Sequence, residues 1–331
     1  MKTYYKNGIE TELDYILSGD NEFAIQVDEN SVLRQTFYKN DTLIRDMENY
    51  LIDLYDIFRD IYFPDTDNYY LISKSIPPLL QQGGYSSDFQ FDSDFFNEIY
   101  NKFAVDGKHS ELNKFIYVAD CQYLISTLQN LTLHIEYCFT EYFIQISKIN
   151  NIRESSIDKS GVYFFQSEYC TNIAFLVESF FTKLYSILDI IVKIVYELEN
   201  PVSDFSSMKK LNCADKLWGD KKKLKIYKQS NTIFEDDYET VKTIETIRNE
   251  CIHNGTWENF PKVFAVVENY KIIERYMLFP DCKKGRFCTV KNRRHFYSQG
   301  LKVNDVLIQI HDDFYKRLIT TLNVISKKTV V

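Results

Sequence analysis

Glycine and proline are scarce, 10 and 6 in 331 residues, which excludes collagen-like, low-complexity and linker-dominated chains. Paired cysteines are also missing. The seven present (Cys121, Cys138, Cys170, Cys213, Cys251, Cys282 and Cys288) are odd in number, scattered and free of any C-x-x-C, a pattern that predicts reduced thiols in a cytoplasmic protein rather than a disulfide framework. The longest charge-free apolar stretch, Cys121 to Ile135, is broken by Gln122, Ser126, Asn130 and His134 and falls short of the roughly 18 to 20 residues that span a bilayer. No membrane partner is expected. The opening Met1 to Asp14 has charges in place of the apolar core of a secretory leader. P-loop, G-x-G-x-x-G and G-x-S-x-G patterns do not occur, which argues against P-loop nucleotide hydrolysis, dinucleotide chemistry and elbow-type hydrolysis. What is present is ordinary for a globular chain, 45% apolar and 26% charged, with length enough for two domains of about 150 residues. The 25 Tyr and 25 Phe accompany many Ile, Lys and Asn, and read as base composition more than as a selected aromatic surface.

The net charge of −8 is unevenly spread. Residues 1–100 hold seven Lys or Arg against 19 Asp or Glu, a net of −12, so the remainder carries +4. Within that remainder, Lys283 to Lys302 contains Lys283, Lys284, Arg286, Lys291, Arg293, Arg294 and Lys302 and no carboxylate. Such a run is either a solvated loop or a surface that attracts phosphate.

Apolar spacing of three and four residues predicts helices over Asp41 to Phe63, ended by Pro64, over Asp94 to Phe103, Glu111 to Ile149 and Ser167 to Leu198. The apolar face of the last is broad enough to place it inside a bundle. Thr232-x-x-Glu235 fits a capping box opening a helix that ends at His253, where Asn254-Gly255 stops it. Trp257 to Phe279 reads as a further helix, residues 286–303 as a small hairpin, and Asn304 as the cap of a last helix to Ser326. His134, beside Leu131 and Cys138, reads as a core histidine. The expected fold class is therefore mainly α, an acidic helical N-terminal region over 1–160 followed by a helical bundle domain over 161–331.

The chemistry-bearing stretch is Arg248-Asn249-Glu250-Cys251-Ile252-His253. Asn249 and His253, four apart, lie one above the other on a helix, and Arg248 is rotated by about 100° with a stem long enough to reach the same place. Arg and His also favour the last helical turn because they meet its free carbonyls, so finishing the helix is the competing role of these residues. The sequence resembles the R-x4-H motif of the HEPN superfamily, in which a polar residue often follows the Arg, and Ser167 to Ser326 supplies the four or five helical elements of that family. Some toxin members carry a Tyr two residues after the His, where this chain has Gly255.

That resemblance implies a metal-independent endoribonuclease with no cofactor, of the kind found among toxins and phage-defence effectors. His253 would move a proton, Arg248 would hold the scissile phosphate, and Asn249 would orient His253 or bind a phosphate oxygen. The family further implies a homodimer that joins two motifs in one cleft, RNA as substrate, and an antitoxin or regulatory protein as a further partner. Lys221, Lys222 and Lys223, with Lys283, Lys284, Arg286, Lys291, Arg293 and Arg294, would then meet RNA backbone without sequence preference, and Phe287, Phe296 and Tyr297 could pack in the core or stack on bases. The alternative is a non-catalytic HEPN-like module that binds nucleotide or nucleic acid. Cys282, Cys288, His295 and His311 match none of the compact zinc spacings, so no metal is expected.

Overall fold

The computed structural model describes residues 2–6, 9–11, 25–28, 43–104, 109–148 and 159–328. The fold is mainly α, and about 60% of the described residues are helical. Strands β1 (Lys2–Lys6), β2 (Ile9–Thr11) and β3 (Ile25–Asp28) form an antiparallel sheet in the order β2-β1-β3. Helices α1 (Leu43–Tyr62), α2 (Thr66–Ser75), α3 (Pro78–Gln82), α4 (Ser93–Ala104) and α5 (His109–Ser147) follow. Then come β4 (Gly161–Phe165), α6 (Glu168–Glu199), α7 (Glu239–Asn254), β5 (Val263–Glu268), β6 (Lys271–Tyr276), β7 (Cys282–Lys283), β8 (Arg286–Phe287) and α8 (Val303–Lys328). Among the described residues no helix is long and apolar enough to cross a membrane.

The chain divides into two compact units, each drawn from separate stretches. The first comprises Met1–Arg45, Leu131–Ser186 and Ser230–Ile319, and the second Asp46–Asn130, Ile187–Gln229 and Thr320–Val331.

In the first unit, α6 buries Ile173, Val177, Phe180, Phe181 and Leu184, as its broad apolar face demands. The antiparallel sheet β4-β5-β6 turns one face inward, burying Val263, Ala265 and Val267. Residues 257–279 are thus a hairpin and not the helix expected from Val263, Val266 and Val267. The same residues also alternate with period two, and Asn269 and Tyr270, both at positive φ (49° and 64°), form the two-residue turn whose twist suits paired strands. The helix predicted from Thr232 begins seven residues later, at Glu239. Asp237 holds a φ of 60°, which no right-handed helix passes through, and the presumed capping pair acts locally: Glu235 accepts from the Asn231 amide and Thr232 from the Phe234 amide.

Three smaller expectations also change. The small hairpin lies at Cys282 to Phe287, followed by an isolated bridge between Val290 and Arg293. Asn304 lies inside α8, which starts at Val303. It is buried, accepting from the Tyr142 hydroxyl at 2.7 Å and donating to the Arg275 carbonyl at 3.0 Å. His134 is exposed, because it falls about 40° beyond the buried stripe of α5. The core histidine is His311, 2% exposed, stacked on Tyr315 and bonded to Glu136.

The second unit packs α1 through Leu51, Leu54 and Phe58 with the first half of α5 through Phe115, Tyr117 and Ile125. Its fully buried Glu197 accepts from the Tyr117 hydroxyl at 2.5 Å and the Cys213 amide at 2.7 Å. A buried carboxylate needs such donors.

Asp120 in this unit is the clearest titrating group. Burial pushes its carboxyl up to about 6, against the lowering effect of the Tyr85 hydroxyl that it accepts. Because the folded carboxyl then binds its proton more tightly than the unfolded one, its contribution to stability is greatest below about pH 4 and is lost as pH rises through about 6. Asp120→Asn keeps the acceptor and removes that loss. It should raise urea-unfolding stability by about 3 kcal/mol at pH 7.5 and leave it nearly unchanged at pH 4. Equal effects at the two pH values would contradict this.

Candidate active site at the end of helix α7

Helix α7 carries Arg248, Asn249 and His253. It ends at Asn254 because Gly255 adopts φ 93°, a conformation that costs glycine little. The helix lies antiparallel to α6. Arg248 places its guanidinium carbon 4.6 Å from the Tyr185 ring centroid, Thr256 just past the helix donates to Glu178, and the Trp257 indole donates to the Ala174 carbonyl at 3.2 Å. Trp257 is fully buried, so the helix end is anchored immediately after the histidine.

Arg248 is half-buried, and its Nη1 donates to Asn249 Oδ1 at 3.0 Å. Asn249 and His253 are exposed. They stand about 40° apart around the helix, against about 140° for Arg248 and His253. The hydrogen bond to Asn249 turns the cation toward the side of the helix that carries the imidazole. Stacking on Tyr185 holds the guanidinium without neutralising it, an interaction of about 0.5–1 kcal/mol at a partly exposed site. Glu178, on the facing stretch of α6, is engaged by Thr256.

Glu250, on the inward side of α7 and 7% exposed, accepts from Arg294 at 2.8 Å and from the Asn254 side-chain Nδ2 at 3.1 Å. His295 Nε2 lies 3.6 Å from its other oxygen, an ion-pair distance when the imidazole is protonated. Burying a carboxylate without a counter-charge is costly, and Arg294 supplies it. The pairing joins residues 44 apart, so no local pattern announced it.

The other end of α7 is held by the β7–β8 turn. The Gly285 amide donates to Glu239 at 3.1 Å, and Thr246 donates to the Gly285 carbonyl at 2.8 Å. Lys283, Lys284 and Arg286 on this hairpin are exposed, as are Lys291 and Arg293 at the following turn. Arg294 is the exception, since it is committed to Glu250. Lys221, Lys222 and Lys223 belong to the second unit, where Lys221 sits 3.9 Å over the Trp218 ring and Lys223 pairs with Asp220. The structure therefore brings the Lys283 to Arg294 group to the R-x4-H helix within one unit.

Phe287 packs edge-on to His295, and the Tyr297 hydroxyl donates to Glu258. Among the described residues no group of three or more His, Cys, Asp or Glu side chains converges as a metal site. Cys251 is no ready nucleophile, because burial, with Glu178 beside it, pushes its thiol up to about 12. Comparison of the chain with protein families, with curated proteins and with solved structures finds no match.

Two substitutions, with Lys284→Ala as their control, test the scaffold. Arg294→Ala leaves the buried Glu250 carboxylate without its counter-charge and should cost about 3 kcal/mol in urea unfolding, whereas Lys284→Ala should cost less than about 0.5 kcal/mol. Gly285→Ala combines a φ of 74° with a Cβ 2.6 Å from the Glu239 carbonyl oxygen, and should destabilise by more than about 1 kcal/mol. Wild-type stability in either would show that these contacts do not hold α7.

Proposed function

We propose that the chain is a metal-independent endoribonuclease of the HEPN kind, working as a homodimer. The observation that carries this reading is the disposition of the motif: an exposed imidazole, on the helix face shared with Asn249, to which a positioned guanidinium is hydrogen-bonded. Residues that merely finished the helix would spend their polar groups on its last carbonyls. Arg248 instead reaches across Asn249, and His253 points to solvent.

The chemistry follows from these groups. His253 takes the proton of a ribose 2′-hydroxyl, or gives one to the departing 5′-oxygen. The 2′-oxygen bonds to phosphorus as the bond to the 5′-oxygen breaks, which leaves a 2′,3′-cyclic phosphate. Arg248 binds the two non-bridging oxygens and the charge they gain in the transition state. Asn249 keeps Arg248 and His253 in register. One imidazole performs only half of a concerted acid and base pair, and a second copy supplies the other half. The exposed Ile252 beside His253, together with the exposed Phe175 next to Ala174 on α6, offers an apolar seam for that second copy. Lys283, Lys284, Arg286, Lys291 and Arg293 attract the RNA backbone. An activity of this kind suits a toxin or phage-defence effector held in check by an antitoxin or regulatory protein.

Purified protein incubated with mixed RNA in EDTA should yield 2′,3′-cyclic ends, and His253→Ala should lower the rate by about 10²- to 10⁴-fold. Arg248→Lys keeps the charge but loses the planar fork, and should also cut slowly. Unchanged cleavage in His253→Ala, or full activity from a protein that sediments as a monomer at working concentration, overturns the assignment. RNA binding without cleavage would leave the non-catalytic module in its place.

A further inference from the structure

The sheet β4-β5-β6 has a second face that is exposed at Val162 and Phe164 and half-buried at Phe264 and Tyr276. Its register aligns Phe164 with Phe264 and Phe264 with Tyr276, so three aromatic rings form one row across three strands. Phe264 and Tyr276 stack at 5.5 Å with their planes 14° apart, and Phe164 lies 6.1 Å from Phe264. Phe164 is 62% exposed, with Val162 beside it 59% exposed. Rings so exposed are costly to leave in water.

Cations flank the row. Lys262 Nζ lies 5.7 Å from the Phe164 centroid, and Lys302 Nζ lies 4.8 Å from that of Tyr276 while pairing with Glu274. Beside Phe264 opens a cavity of about 320 Å³ lined in part by Asn259, Phe260, Lys262, His295 and Tyr297. Phe260 is 67% exposed at this cavity.

From this we propose that the outer face of β4-β5-β6 is a stacking platform for an unpaired stretch of RNA. Bases lie on the row at Phe164 and on Phe260, and one base edge meets the Asn259 side-chain amide and the Tyr297 hydroxyl at the cavity. Lys262 and Lys302 meet the phosphates between them. Flat rings flanked by ammonium groups match a polymer that alternates π-faces with anions. An aliphatic protein surface would leave the Lys262 ammonium unmatched. The choice of RNA as the polymer rests on the ribonuclease reading, whereas the row, its flanking charges and its cavity do not. This platform lies in the same unit as α7, and the cavity lining begins four residues after Asn254.

The test uses the full chain carrying His253→Ala, so that substrate stays intact, and a fluorescein-labelled 12-nucleotide RNA without self-complementarity, titrated by anisotropy in EDTA. Adding Phe164→Ala should weaken binding by about 5- to 150-fold, and Phe164→Tyr should restore it. A 12-base-pair RNA duplex should be indifferent to both substitutions, because its bases are not free to stack. Lys262→Ala should flatten the salt dependence by somewhat less than one charge. Equal affinities for the single strand with and without Phe164→Ala, or no binding to it at all, overturn the platform. So does a dimer that Phe164→Asp dissociates in sedimentation, which would make this face a seam between copies. Failure of the nuclease reading looks different: there the parent protein leaves RNA uncut while Phe164 still governs binding.

Discussion

A carboxylate taken out of water must be met by cations and amide donors, and Glu250 imposes that condition on the whole surrounding site. It is buried on the inward side of the helix whose outward side carries Asn249 and His253. Arg294 and Asn254 answer it, and so the basic segment after the β7–β8 hairpin is fastened beside the motif helix. Local propensity alone does not fix where such a segment lies. One buried charge therefore orders a cationic run that would otherwise be a solvated loop.

The same helix shows how a reactive surface is kept steady. Beyond Gly255, the Trp257 ring is sunk into the unit and Thr256 is tied to α6, so the turn bearing His253 is flanked by buried anchors rather than fraying as helix ends do. Tyr185 performs the equivalent service for Arg248. Precise placement of exposed groups by buried neighbours is what positioning in catalysis and recognition requires.

The sequence displayed most of the helices, because Leu51, Leu54 and Phe58, or Phe180, Leu184 and Ile187, repeat at the period of a helix against a core. The R-x4-H stretch and its glycine stop were equally legible, since both are local. Illegible were the features decided by distant partners. Val263 to Tyr276 satisfies two periods at once, and only the pairing of Phe164 with Phe264, 100 residues on, selects the strand. The displaced start of α7 reflects Asp237 at positive φ and Glu235 drawn to Arg317, neither visible in a capping-box pattern. Asn304 looked like a cap but serves Tyr142 and Arg275, while the core imidazole was assigned to His134 instead of His311. The aromatic row was hidden for a related reason, since its members alternate along strands that the helical reading dissolved.

The division of the chain carries one more consequence, for the order of its synthesis. Helix α7 is complete at residue 254, yet Thr240 and Glu235 find their partners in Asp313 and Arg317, and the unit they stabilise closes only at Ile319. At translation speeds of about 5–20 residues per second, the motif helix leaves the ribosome several seconds before the helix that braces it. A chain halted before α8 therefore holds Arg248 against Tyr185 and anchors the turn after His253 through Trp257, while the opposite end of the same helix still lacks Asp313 and Arg317.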